Sequence, residues 1–217
     1  MSDYHSIAER LRRHRILVNN GTNDPVIADR MATVGYTPEK MQEAQTLLEE
    51  AEEAAQLNKT EQGEYREALE ERQNAKTAFH DAYIRDLQFA RIALRNQPET
   101  LRKIDASGSR ERGQAKYLEQ AGNFYNSIAA DENLLAALSV FGFTAEKVND
   151  QLAAVNTLYE LMEKIEREEG DAQHQITVRD QKLDAFDDWS GTYKQVARLM
   201  FDNDAQNLEK LGIIVKS

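Results

Sequence analysis

No cysteine occurs in the 217 residues. That excludes disulfides, thiolate nucleophiles and cysteine-ligated metals, and it fits a reducing compartment. Proline is scarce, at three residues, and glycine reaches only ten. Aromatic side chains make up 7% of the chain. Runs of β-branched residues are nearly absent, which removes the strand signal. No window approaches the roughly 18 apolar residues of a membrane span. The opening MSDYHSIAERLRRHR lacks the apolar centre of a secretion signal. The expectation is a soluble, cytoplasmic protein that does not enter a membrane. P-loop, G-x-G-x-x-G and G-x-S-x-G patterns are also missing, so no local motif announces nucleotide or acyl-transfer chemistry.

What remains is helix-forming. Glu, Ala, Leu, Gln and Arg dominate, and these residues lose little freedom in a helix. Hydrophobic residues amount to 41%, enough for a core, beside 30% charged. The charge balance is 27 − 38 = −11. Residues 1–106 hold 15 basic and 19 acidic side chains, and residues 107–217 hold 12 and 19, so both parts are acidic. Nucleic acid and anionic membranes demand clustered cations, so neither is an expected partner.

One stretch stands out. VGYTPEKM, Val34–Met41, returns as FGFTAEKV, Phe141–Val148. Its residues describe a helix–helix corner. Gly35 and Gly142 suit a left-handed helix stop. Tyr36 and Phe143 supply the apolar contact beside that stop, reaching back to Met31 and Leu138. Thr37 and Thr144 stand where N-caps belong. Pro38 suits a first helical position, and Glu39 and Glu146 suit the positive end of the helix dipole.

The recurrence extends along the chain. At an offset of 107, residues 4–106 align with 111–213 without a gap, and 21 of the 103 positions are identical. Apolar periodicity predicts four helices and a short closing helix per copy. In the first copy they cover about Tyr4–Asn19, Pro25 to Gly35, Thr37–Asn58, Gly63–Arg95 and Pro98–Ile104. The polar stretch DASGSRERG, residues 105–113, reads as the connection. The expected fold is all-α: two tandem antiparallel four-helix bundles, with domains 1–104 and 113–217 and a linker at 105–112. The terminal GIIVKS is expected to pack on the last helix.

Candidate site residues are few. Arg72 and Arg179 fall on apolar stripes. If the chain turned near residues 62–63, Glu53 would face Arg72 and Glu160 would face Arg179, as register-fixing ion pairs. Arg91 and Arg198 are expected in salt bridges. The basic run Arg10, Arg12, Arg13, His14, Arg15 reads as a solvated face or a dock onto the acidic Glu49–Glu53 patch. Of the four histidines, His5, His14, His80 and His174, none follows a glutamate three residues earlier, so no di-metal bundle site is expected. Trp189, Phe186, Tyr193 and Tyr125 are the aromatic candidates for a pocket. No catalytic residue, metal or cofactor is assigned. The functional expectation is a non-enzymatic helical scaffold or interaction protein, bound to protein partners or to itself. The alternative is a binder of a small apolar or cofactor-like ligand, in a bundle core or between the repeats.

Overall fold

Several helices open where a short polar side chain satisfies the free amides of a first turn. Ser6 Oγ accepts from the Glu9 amide and opens α1, Ile7–Asn23. Asp24 accepts from the amides of Val26 and Ile27 and opens α2, Pro25–Ala32. Then follow α3, Pro38–Ala93; α4, Pro98–Lys103; and α5, Gln114–Ala129. Asp131 caps α6, Glu132–Leu138, which runs into a 3₁₀ turn, Ser139–Phe141. The chain continues with α7, Ala145–Met200, and α8, Ala205–Lys210, which is capped by Asp204. A computed structural model of the protein describes residues 6–214. Tyr4, His5 and Val215 lie outside them, and with them the expected start of the first helix and the end of the packed tail. Among the described residues there is no strand, and no helix is long and apolar enough to cross a membrane.

The expected turn at residues 62–63 does not form. Asn58 to Gly63 lies inside α3, an unbroken helix of 56 residues, and α7 passes through Gly170 in the same way. A lone glycine lowers helix stability by only about 1 kcal/mol. No proline stands nearby, and Lys, Glu and Gln on both sides favour continuation. Glu53 and Arg72 are therefore about five helical turns apart on one helix, and so are Glu160 and Arg179. Neither expected ion pair can form.

Packing divides the chain into two units, and these cut across the expected domains. The first unit holds the described residues up to Gly63 and those from Gly170 onward. The second is Glu64–Glu169. Each unit thus draws on both the 1–104 and the 113–217 segments. The reason is again helix continuity, because α3 and α7 each leave one unit and enter the other.

In the first unit, Leu17, Val18, Ile27, Met31 and Met41 pack against Phe186, Tyr193, Ala197 and Phe201. Ile213 closes this core, while Ile214 is exposed. Gly21 matters here, because a Cβ at that position would stand 2.7 Å from the Tyr193 hydroxyl. In the second unit, Phe79, Tyr83, Leu87 and Leu94 meet Tyr117, Leu118, Phe124, Tyr125 and Phe143. Asp86 is fully buried there. It accepts from the Tyr125 hydroxyl at 3.1 Å and from Lys147 Nζ at 2.6 Å. Such a buried carboxylate is tolerated because it is paired and hydrogen-bonded.

The two corners bend at Gly35 and Gly142, with φ of +94° and +79°. At the first, the Tyr36 amide donates to the Met31 carbonyl, and Tyr36 packs edge-on against Tyr193. At the second, Thr144 Oγ1 accepts from the Lys147 amide, and Phe143 is buried. The Thr37 hydroxyl instead bonds the Glu39 carboxylate, holding that carboxyl below its usual range.

Candidate ligand-binding cavity

The second unit contains a cavity of about 430 Å³. Ordinary small-molecule sites begin near 300 Å³ and combine an apolar lining with a few convergent polar groups. This one is built from three stretches. The second half of α3 supplies Lys76 and His80. The connector between α4 and α5 supplies Ser109, Arg110, Glu111 and Arg112. Gln114, Tyr117 and Leu118 of α5 and Leu158 of α7 complete the lining. Leu118 and Leu158 are buried, so they form an apolar floor. His80 Nδ1 and the Tyr117 hydroxyl stand 2.9 Å apart, and the direction of that hydrogen bond follows the ring tautomer. Burial pushes the Tyr117 hydroxyl up to about 12, against the opposing pull of Arg110. Tyr117 therefore keeps its proton near neutral pH.

The connector is a fixed wall rather than a spacer. Arg91 Nε donates to the Ala106 carbonyl at 2.7 Å, and Arg91 Nη2 donates to the Gly108 carbonyl at 2.9 Å. Asn123 Nδ2 donates to Asp105, and the Glu111 amide donates to Gln120. Ile104 and Ala106 are buried in the core. Arg91 thus binds backbone carbonyls, not the carboxylate expected from the sequence.

Three of the four aromatic residues proposed for a pocket are brought together, and Tyr125 stands apart from them. Phe186, Trp189 and Tyr193 lie in the first unit, with Trp189 stacked 5.3 Å from Tyr193. Tyr125 lies in the second unit and is committed to Asp86. The cavity forms elsewhere, against Tyr117 and His80. The sequence presents His80 only as one of four histidines without a metal-site pattern, with Asp187 at its 107 offset, and it does not single out Tyr117. That mismatch was itself the available signal.

The remaining candidates have structural partners. Arg179 donates to Asn58 Oδ1 at 2.8 Å and to its neighbour Asp180, while Glu53 and Glu160 are exposed. Arg72 Nε is buried with no hydrogen-bond partner. Within the basic run, Arg12 and Arg13 pair with Glu9, Arg15 pairs with Glu52, and His14 is buried. Compared with protein-family models, curated proteins and solved structures, the chain matches none.

Proposed function

We propose that this is a non-enzymatic helical protein whose second unit binds a small ligand in the cavity beside His80 and Tyr117. The observation that carries the reading is the lining: an apolar floor, a hydrogen-bonded His–Tyr pair and several charged side chains around one opening. A tyrosine that holds its proton serves such a site as a hydrogen-bond partner rather than as a base. Filling the opening tests the reading. Ser109 is an exposed lining residue, so Ser109→Trp obstructs the cavity while leaving the core intact. A small-molecule panel read by thermal shift should stabilise the native protein and leave Ser109→Trp unmoved. A panel that shifts neither protein, or both alike, overturns it.

The same proposal treats the chain as a duplicated unit in a cytoplasmic setting. The duplication is supported by the recurrence of element starts: α1 and α5, α2 and α6, α3 and α7, α4 and α8 each begin 107 residues apart. Gly35 and Gly142 share a positive φ, as do Asp105 and Gly212.

A scaffold or self-association role is the second reading. Ile92 and Leu199, equivalent under that offset, are 55% and 79% exposed, and Val140 is 85% exposed. Exposed apolar side chains of this size mark interaction sites when they cluster. Light scattering that returns a strict monomer at high concentration would count against self-association.

A further inference from the structure

We propose that the cavity takes an organic anion with an apolar body, such as an alkyl or aryl carboxylate or phosphate. This rests on reading the cavity as a binding site. Three cations, Lys76, Arg110 and Arg112, line it against one carboxylate, Glu111. Among the described residues none of the three is ion-paired. The chain as a whole is strongly acidic, so this local excess runs against its composition.

The equivalent place in the first unit shows what is missing. Positions 80 and 117 correspond, at the 107 offset, to 187 and 10. There Asp187 and Arg10 form an ion pair, and Asp184 adds a second carboxylate to the same guanidinium at 3.3 Å. In the second unit His80 and Thr77 stand where those two aspartates would be, and Tyr117 replaces Arg10. Lys76 stands where the first unit has buried Leu183. The first unit therefore neutralises its cation internally. The second has gained Lys76 and lost both aspartates, and Glu111 alone stands in its lining against three cations, which leaves further negative charge to be supplied from outside.

Geometry divides the ligand's contacts. The cations at the rim meet the anionic group, where charge-assisted hydrogen bonds form to a carboxylate or a phosphate. The Leu118–Leu158 floor meets the apolar body. The Tyr117–His80 pair lies in the same lining and offers a polar anchor. A bare inorganic anion leaves the floor uncovered, and a neutral hydrocarbon leaves the cations unpaired.

The test uses the full chain and two dyes of matching shape. These are 1-anilinonaphthalene-8-sulfonate, which is anionic, and N-phenyl-1-naphthylamine, which is neutral. The anionic dye should bind at least about tenfold more tightly, and its affinity should fall with added salt. Arg110→Ala and Lys76→Gln should each weaken it by about tenfold, the scale of one charge-assisted hydrogen bond. Arg66→Ala, an exposed cation of the same unit, should change nothing. Decanoate and decyl phosphate should displace the dye, and their ratio decides between carboxylate and phosphate. Decanol and inorganic phosphate should not compete at the same concentration. Equal binding of both dyes, indifferent to salt and to both variants but blocked by Ser109→Trp, overturns the anionic class and leaves a ligand cavity. Displacement by inorganic phosphate as effective as by decanoate overturns the apolar body. Failure of every probe to bind overturns the cavity reading itself.

Discussion

At the scale of single residues, the informative positions are those that differ from the residue aligned with them at the 107 offset. His14 is one, and its counterpart is Ala121. His14 is 3% exposed and packs against Phe186, with ring centroids 4.2 Å apart. Its Nε2 lies 3.0 Å from Asp187 Oδ1 but out of line for a hydrogen bond. Burial lowers its pKa to about 4, with Lys194 and Arg10 acting in the same direction and Asp187 opposing them. The unfolded chain, with a histidine near 6.5, therefore binds the proton more readily than the folded one. The stability His14 contributes is complete above about pH 6.5 and is lost as pH falls toward 4. The loss is on the order of 3 kcal/mol. Urea denaturation at a series of pH values should show this extra acid slope in the native protein and its absence in His14→Gln. Equal slopes would show that His14 does not titrate with unfolding. A sequence reading placed His14 in a solvated basic face, because its four flanking arginines hide the burial of one position in five. Gly21 was equally opaque. Its role appears only with Tyr193 above it, and the 107 offset aligns Ile128 and Asp86 with this pair.

At the scale of elements, the caps and corners were legible and the hairpins were not. Gly35, Gly142 and Thr144 follow local rules that hold wherever the helix goes next. The 62–63 stretch carries no such rule. A glycine there is compatible with a turn or with a helix, and only packing decides. Substitution separates the two cases. Gly63 lies within a helix, and a Cβ there meets nothing within 4 Å. Gly63→Ala should therefore raise stability by about 0.5–1 kcal/mol, as should Gly170→Ala. Gly35 is equally open, but its φ of +94° is hostile to a side chain. Gly35→Ala should cost about 1 kcal/mol or more. Thermal melts of the three variants check the signs, and a loss at Gly63 would restore the turn. The cavity was illegible for a related reason. Its lining joins α3, α5, α7 and a connector, and the connector reads as polar spacer until the carbonyl bonds of Arg91 are seen.

For the whole molecule, the all-helical class could be read from composition. The assignment of segments to units could not. Periodicity reports which face of a helix is buried, not which helix covers it. The consequence is measurable. Arg110 and Arg112 lie in the connector, where trypsin can cut. Both cores combine residues from before and after that cut. The two fragments should therefore elute together from a sizing column and separate only in denaturant. Self-contained halves would part at once, and that result would refute the observed division into units.

The second unit is one unbroken stretch of chain, Glu64–Glu169, set between the two pieces of the first. During synthesis the inner stretch has its whole core in hand long before the last residues emerge. The segment up to Gly63, although made first, must wait with Leu17, Ile27 and Met31 uncovered until Phe186, Phe201 and Leu208 arrive. Closure across so long an insertion is slow, because distant contacts reward the chain only after its loop is closed. The segment up to Gly63 is thus made before the inner unit but completes its core only after it. While it waits, the uncovered apolar side chains of that segment are open to premature association.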